Sequence, residues 1–174
     1  QRPIDDNSVT ANSYEQFIID NCHISVTDRD RDAVFLSYAT GASPSTTGLR
    51  LRKCTIFGNV VISIETNNTA NIPVDGRIEN CLIIAQKDLR AIWIDSSGSQ
   101  TFNVSDILIA NNTVIGADAS VYIENTKDTV DPIRIYNNIF ILNDDGLDQA
   151  AITSGSVEED YNIFVIRSYK FIDP

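Results

Sequence analysis

Four arginines fall at equivalent positions of a repeated sequence and could together bind an anion. They are Arg50, Arg52, Arg77 and Arg134, four of the nine arginines in the chain, and Tyr136 shares their pattern. A guanidinium group binds a carboxylate through two parallel hydrogen bonds. The sequence therefore predicts an outward face that could bind an acidic polymer.

Two carboxylates in the same pattern allow a simpler interpretation. Asp20 and Glu79 occupy positions equivalent to Arg52, so the sign of the charge alternates between copies. Such an alternation could be a surface charge ladder of little energetic value. Paired-carboxylate glycoside hydrolysis is disfavoured, because Arg52 between the two acids would keep both ionised, whereas a general acid needs a raised pKa. A charge ladder, acidic-glycan binding and catalysis remain open, in that order of preference.

No catalytic constellation is visible elsewhere in the sequence. His23 is the single histidine, and no serine or cysteine lies in a nucleophile motif. The sequence contains no phosphate loop, dinucleotide fingerprint or calcium-loop motif. The acidic stretches "DRDRD" from Asp28 and "NDDG" from Asn143 are interpreted as solvated turns rather than cation sites. We predict no catalytic residue, no metal site and no cofactor.

The arginines belong to a ten-residue motif that recurs six times and aligns without gaps on a central residue, the anchor. The copies are FIIDNCHISV, LRLRKCTIFG, GRIENCLIIA, ILIANNTVIG, IRIYNNIFIL and VEEDYNIFVI. Their anchors are Cys22, Cys54, Cys81, Asn112, Asn138 and Asn162. A supersecondary unit repeated at such intervals indicates a solenoid.

Apolar residues alternate with period two on both sides of the anchor, as in half-buried β-strands. The phase of the alternation slips just before the anchor, so a tight bend is predicted there. Asparagine tolerates the left-handed conformation that such a bend requires, which accounts for pairs such as Asn137-Asn138. A looser apolar segment follows the copies, from AVFLSYA at Ala33 to AAITS at Ala150. Each repeat therefore supplies three strands.

Stacked repeats would place the anchors in one column, ~4.8 Å apart. We predict that the three asparagine anchors form a ladder in which each side-chain amide donates to the next carbonyl. The cysteine anchors are predicted to be buried, reduced thiols in the same column. A disulfide between turns is disfavoured because stacked side chains point in parallel, and metal binding lacks the usual paired-ligand spacing.

This organisation predicts an all-β protein, a single-stranded parallel β-helix with about five full turns and a partial sixth. Parallel sheets usually need helical crossovers, but no stretch shows a 3.6 period long enough to supply them. The β-helix is assigned to residues 17–174. Residues 1–16 are assigned to a polar segment that could act as a cap or a donor strand.

The "I-x-I-x-N-N-x-I" pattern resembles the repeats of the pectin-lyase-like right-handed parallel β-helix superfamily over roughly residues 15–174. The closing "YKFIDP" is similar to a phrase common near the end of such helices. The resemblance implies a right-handed helix, in agreement with the general chirality of parallel crossovers. It implies little about function, since the superfamily includes lyases, hydrolases, epimerases, tailspikes, adhesins and structural proteins.

Polysaccharide lyases of this fold hold uronates over a strand face with Arg and Lys, often with Ca²⁺ bound by several carboxylates. The resemblance thus makes a lyase one possible function of the arginine face, although no carboxylate cluster of that kind is visible here. A non-catalytic glycan-binding module would use the same face. The interpretation that we favour is structural: a filament subunit, shaft or adhesin-type segment that associates end to end.

The bulk composition limits the partners of the chain. Its 13 basic and 24 acidic residues give a net charge of −11, which argues against binding to nucleic acid or to an anionic membrane. The apolar runs are far shorter than the ~20 residues that span a bilayer. Because the chain contains no methionine, Gln1 could follow a cleaved signal or could mark the edge of a trimmed chain. We favour a processed, secreted protein located outside the cell or on its surface. The sequons at Asn67, Asn103 and Asn111 are no more frequent than chance.

Overall fold

The structure, a computed structural model, describes residues 5–6, 17–26, 33–38, 47–64, 74–85, 90–95, 104–116, 119–124, 132–142, 145–148 and 157–166. These residues are all-β and contain no helix that could cross a membrane. The strands, in chain order, are β1 (Asp5–Asp6), β2 (Phe17–Asp20), β3 (His23–Ser25), β4 (Val34–Tyr38), β5 (Thr47–Arg52), β6 (Thr55–Phe57), β7 (Val60–Ile64), β8 (Val74–Glu79), β9 (Leu82–Ile84), β10 (Ile92–Asp95), β11 (Val104–Ala110), β12 (Thr113–Ile115), β13 (Ala119–Glu124), β14 (Ile133–Tyr136), β15 (Ile139–Leu142), β16 (Asp145–Asp148), β17 (Val157–Asp160) and β18 (Ile163–Ile166).

The strands form three sheets in which every pairing is parallel. Sheet 1, before the anchors, has the order β2-β5-β8-β11-β14-β17. Sheet 2, after the anchors, has the order β3-β6-β9-β12-β15-β18, and sheet 3 has the order β1-β4-β7-β10-β13-β16. Each strand therefore pairs with the strand three places along the chain, and stacked parallel sheets of this kind are consistent with a β-solenoid.

The strand register pairs the residues that the gapless alignment places in one column. In sheet 1, Leu51 pairs with Ile78, and in sheet 2, Ile83 pairs with Val114. The same column of sheet 2 continues to Phe140. Alternation along the strands puts these side chains inside, where they are fully buried. Each such side chain contributes about 1.5–3 kcal/mol to folding by leaving water.

The residue immediately before each anchor makes the bend between sheets 1 and 2, with φ between 52° and 57°. These residues are Asn21, Lys53, Asn80, Asn111, Asn137 and Tyr161. The left-handed conformation is costly for most side chains, and asparagine tolerates it best after glycine. The two asparagines of a pair thus have separate roles: Asn137 makes the bend, whereas Asn138 is buried at the anchor.

Sheet 3 departs from the sequence prediction in the fifth repeat. The segment AAITS from Ala150 was assigned to this sheet, but β13 pairs with β16, through Val121 and Leu147. AAITS lies outside the described residues, and Asp145 belongs to a strand rather than to the turn predicted for "NDDG". Strand β16 lies at the edge of sheet 3 and is held by backbone hydrogen bonds to β13 on one side. Such a strand can form without the alternation of apolar residues that marks the inner strands.

Sheet 3 also takes up part of the polar N-terminal segment. In β1, Asp5 pairs with Phe35 and Asp6 with Leu36 of β4. This segment therefore extends a sheet of its own chain in parallel. The remainder of residues 1–16 lies outside the described residues.

Candidate functional site

The outer face of sheet 1 carries the predicted anion-binding residues in two columns. One column contains Ile18, Arg50, Arg77, Leu108, Arg134 and Glu158. The other contains Asp20, Arg52, Glu79, Ala110, Tyr136 and Asp160. Successive members of a column stand on neighbouring strands, ~4.8 Å apart.

The structure brings only part of the arginine set together. Arg50 and Arg77 are direct register partners on β5 and β8. Arg134 is separated from Arg77 by Leu108 and is paired in register with Glu158 on its other side. The basic part of this face is therefore concentrated on β5 and β8.

Arg52 is engaged with a carboxylate of the neighbouring strand. Its Nη2 lies 2.7 Å from Oδ2 of Asp20, and both side chains are about two-fifths exposed, at 43% and 39%. Arg52 is also the register partner of Glu79. A pair this exposed contributes at most about 1 kcal/mol to stability, and the two acids make this column a charge ladder with less positive charge to offer an anion.

Tyr136 is engaged as well. Its hydroxyl donates a 2.8 Å hydrogen bond to Oε2 of Glu158. This bond holds the phenolic proton and raises the pKa of Tyr136. Tyr136 also lines a pocket of about 520 Å³ together with Glu158, Glu159 and Asp160. The carboxylates make this end of the face repulsive to an acidic polymer.

Among the described residues, no group of three His, Cys, Asp or Glu side chains is arranged to hold a metal ion. The acidic stretch from Asp28 lies outside the described residues. His23 points outward, and its ring lies 5.4 Å from that of Phe57. This aromatic contact gives His23 a place on the outer surface of sheet 2.

The asparagine anchors form a continuous hydrogen-bonded column. Nδ2 of Asn112 donates to Oδ1 of Asn138 at 3.1 Å, and Nδ2 of Asn138 donates to Oδ1 of Asn162 at 3.0 Å. The same oxygens accept the backbone N–H groups of Asn112 and Asn138, both at 2.9 Å. Each Nδ2 also donates to a carbonyl of the preceding repeat, as Asn138 does to Ile109 at 2.9 Å. Buried amides are thereby satisfied at both ends.

The cysteine anchors make the same contacts at longer range. The Cys54 thiol donates to the carbonyl oxygen of Ile19 at 3.7 Å, and its sulfur accepts the backbone N–H of Cys22 at 3.5 Å. Where the two chemistries meet, the N–H of Cys81 donates to Oδ1 of Asn112 at 2.9 Å. Thiols are weak donors and acceptors, so this part of the column depends more on burial.

All three cysteines are unpaired, but they are not all buried. Cys54 and Cys81 are buried, whereas Cys22 is exposed, so the prediction of three buried thiols is wrong for Cys22. The reason is position: Cys22 lies between the edge strands β2 and β3, with a described neighbouring anchor on one side only. Burial raises the pKa of the Cys81 thiol to about 11, which keeps it protonated at neutral pH.

Two surface features of the structure are not among the sites predicted from the sequence. The outer face of sheet 2 is largely apolar, a pattern visible one and three positions after each anchor. On sheet 3, the guanidinium of Arg90 stacks on the rings of Trp93 and Tyr122, at 4.5 and 3.5 Å from their centroids. The sequence predicts strands in the segments AIWID and SVYIE. It does not predict the register in which Trp93 of β10 pairs with Tyr122 of β13.

No family model matches the chain, and neither does any curated protein or solved structure. The parallel sheets are compatible with a parallel β-helix, and no comparison identifies a superfamily.

Proposed function

We propose that this protein is an extracellular structural β-helix that acts by end-to-end association rather than by turnover. The proposed architecture is a right-handed helix of the pectin-lyase-like type, with about five full turns and a partial sixth. The support comes from the last repeat, where the apolar interior reaches the surface at the edge strands β17 and β18.

The main support for this proposal is the burial of the residues in the inward-facing column of sheet 2. Ile56, Ile83, Val114 and Phe140 are fully buried, and Ile24, at the other end of the column, is only 6% exposed. Phe164, the sixth member, is 40% exposed although it stacks on Phe140 with ring centroids 5.1 Å apart. The two ends of the stack therefore differ, and the β18 end leaves core surface to be covered.

The inward-facing column of sheet 1 limits which strands can pair with β17. Glu159 occupies the column of Ile135 and Ile109, and its side chain is exposed. A strand added beside β17 would cover this carboxylate, and an unpaired buried charge is strongly unfavourable. An inward-pointing charge at an edge is a known barrier to indiscriminate strand pairing. Head to tail, the residue of a second copy in this column would be Ile19 of β2, so we expect the association to keep Glu159 hydrated at the rim, which restricts the geometry of the contact.

Sedimentation velocity at micromolar concentration tests the proposal. We expect the protein to form species larger than the monomer, and Phe164→Asp to abolish them by adding an unpaired charge to the contact. Leu108→Asp is the matched control, because Leu108 is an outward, half-buried apolar residue in the middle of the stack, away from both ends. A monomer that persists at all concentrations, or equal effects of the two substitutions, would contradict end-to-end association.

A second candidate function is binding of an acidic polysaccharide, favoured by the direct pairing of Arg50 with Arg77. Two guanidinium groups on adjacent strands could each bind a carboxylate of the same polymer. We expect polygalacturonate to bind at low salt, and an Arg50→Ala/Arg77→Ala variant to lose most of that affinity. Arg134→Ala is the control, since Arg134 is paired in register with Glu158. Equal binding by the double variant and the parent would exclude this site.

A further inference from the structure

The outer face of sheet 2 is an apolar surface that runs along all six described strands of that sheet. Its first column contains His23, Thr55, Leu82, Thr113, Ile139 and Ile163. Its second column contains Ser25, Phe57, Ile84, Ile115, Ile141 and Val165. Eight of these twelve residues are Leu, Ile, Val or Phe, and four of the eight are among the exposed large hydrophobic residues: Phe57, Ile139, Ile163 and Val165. We refer to this surface as the sheet 2 face.

The sheet 2 face is unusual in its charge. None of its twelve outward positions carries Asp, Glu, Lys or Arg, and His23 at the first strand is its single titratable residue. The outer face of sheet 1, by contrast, alternates acids and bases, and the chain as a whole carries −11. Two copies of so acidic a chain repel one another at most orientations. The sheet 2 face is where they can come together without apposing carboxylates.

We propose that the sheet 2 face is a lateral homodimer contact, in which the faces of two copies pack against each other. Both faces repeat at the same ~4.8 Å strand spacing, so the side-chain rows of one copy match the grooves of the other along the whole stack. Two-fold symmetry uses the same patch on both subunits, as a self-complementary surface requires. Packed sheets of this kind lie about 10 Å apart.

The size of the sheet 2 face sets the strength of the contact. Six strands of three residues cover roughly 29 Å by 10 Å, or about 300 Å² per copy. A standard stable interface covers about 800 Å² per partner. The lateral dimer is therefore a weak, reversible one, which forms at concentrations of hundreds of micromolar or where copies are already held side by side.

Lateral pairing goes beyond end-to-end association and uses different residues. End-to-end contact would involve β17, β18 and the inward Phe164, whereas lateral contact is centred on Ile115 and its register partners Ile84 and Ile141. Salt screens the repulsion between two acidic copies and so strengthens an apolar lateral contact.

Sedimentation equilibrium from 10 µM to 1 mM tests lateral dimerisation with a matched pair of substitutions. Ile115→Glu and Leu108→Glu change the same net charge on strands of the same repeat, and both residues are half-buried and point outward. We expect Ile115→Glu to weaken the dimer by at least about tenfold, because it places two carboxylates in the centre of the contact. Leu108→Glu, which faces the arginines of sheet 1, should leave the dimer unchanged.

An uncharged variant covers the case in which Ile115→Glu fails to fold. Ile84→Thr/Ile141→Thr keeps β-branched residues in the strands and resembles Thr113 on the same face. This variant should fold, by circular dichroism, and dimerise more weakly than the parent. Phe164→Asp should abolish end-to-end association but retain the lateral dimer. The two proposals can therefore fail independently of each other.

Three results would overturn the proposal. The first is a parent protein that remains monomeric at 1 mM in both low and high salt. The second is a folded Ile84→Thr/Ile141→Thr variant that dimerises as well as the parent. The third is equal weakening by Ile115→Glu and Leu108→Glu, which would attribute the effect to net charge rather than to the sheet 2 face.

Discussion

The two halves of the anchor column fill the same inward position with side chains of different chemistry. Asn112, Asn138 and Asn162 fill it with amides that hydrogen-bond at 2.7 to 3.1 Å. Cys54 and Cys81 fill it with thiols whose contacts to the carbonyls of the preceding repeat are 3.7 and 3.6 Å long. The residue before the anchor has φ between 52° and 57° in both halves, and the strands stay in register next to the anchors, with one irregularity between Val104 and Ile107 where β11 pairs with β8.

This difference shows what the column requires. An inward side chain of small volume is sufficient where its neighbours are also apolar, as at Cys54. An amide adds strong hydrogen bonds. It also buries polar groups that lose their hydrogen-bond partners if a neighbouring amide is removed. The asparagine half is therefore expected to be the more stable and the less tolerant of change, whereas the cysteine half is held mainly by packing.

The largest expected effect is that of removing one amide from the middle of the ladder. Asn138→Ala leaves the buried N–H of Asn112 and the carbonyl of Ile109 without their partners, at a cost of about 3–5 kcal/mol. Cys54→Ala removes one sulfur from the core and should cost about 1–2 kcal/mol. Urea unfolding of both variants measures the difference. Equal losses would show that the amide bonds add nothing to packing.

The second prediction concerns the pH dependence of the cysteine half. Burial raises the pKa of Cys81 to about 11, above its value in the unfolded chain. The folded state therefore retains this proton longer than the unfolded state. The resulting stability is present at neutral pH and is lost as the pH rises from about 9 to 11, with a total change of about 3 kcal/mol.

Urea unfolding of the parent and of Cys81→Ala at pH 8 and pH 10.5 measures this loss. The alanine variant should show a smaller loss of stability than the parent over that interval. At neutral pH, a thiol reagent should modify the exposed Cys22 of the native protein long before Cys54 or Cys81. Simultaneous modification of all three would contradict the difference in burial.

A smaller effect is expected at two bends of the cysteine half, which precede Cys54 and Cys81. Lys53 adopts φ 52°, a conformation that asparagine accepts at lower cost. Lys53→Asn should therefore stabilise the cysteine half by about 0.5–1 kcal/mol, and Asn80→Ala should destabilise the protein by about 1 kcal/mol. Thermal unfolding of the two variants provides the measurement. A destabilised Lys53→Asn protein would point to lost contacts of the lysine side chain.

The smallest effect is expected where the two chemistries meet. Cys81→Asn would extend the ladder by one repeat, with its amide within reach of the Leu51 carbonyl that the thiol now contacts. We expect stability within about 1 kcal/mol of the parent, since the gained hydrogen bonds offset the less apolar side chain. A loss as large as that of Asn138→Ala would show that the cysteine half cannot accommodate an amide.

Much of the fold could be predicted because the repeat carries its own register. The column of Leu51 and Ile78, and that of Ile83 and Val114, follow directly from the aligned copies. Strand β16 could not be predicted, because Asp145 to Asp148 pair through the backbone and show no apolar alternation. The exposure of Cys22 depends on its place at the end of the column, which the type of residue does not reveal.

The candidate site was less predictable than the fold. Alternation correctly placed Arg50 and Arg77 on one face, but it could not indicate that Arg52 binds Asp20 or that Tyr136 donates to Glu158. Those contacts depend on side-chain conformers across neighbouring strands. The Arg90, Trp93 and Tyr122 cluster was missed for a similar reason, since variable loops separate the third strands and conceal their register.

The anchor hydrogen bonds also give the column a direction, with consequences for how the chain is built. The backbone N–H of each of Asn112 and Asn138 donates to the anchor side chain of the following repeat. During synthesis from the N-terminus, this N–H of the newest asparagine repeat is bonded to water until the next repeat supplies the side-chain oxygen that buries it. A ribosome-stalled chain should therefore gain protection from hydrogen exchange one repeat behind its leading edge.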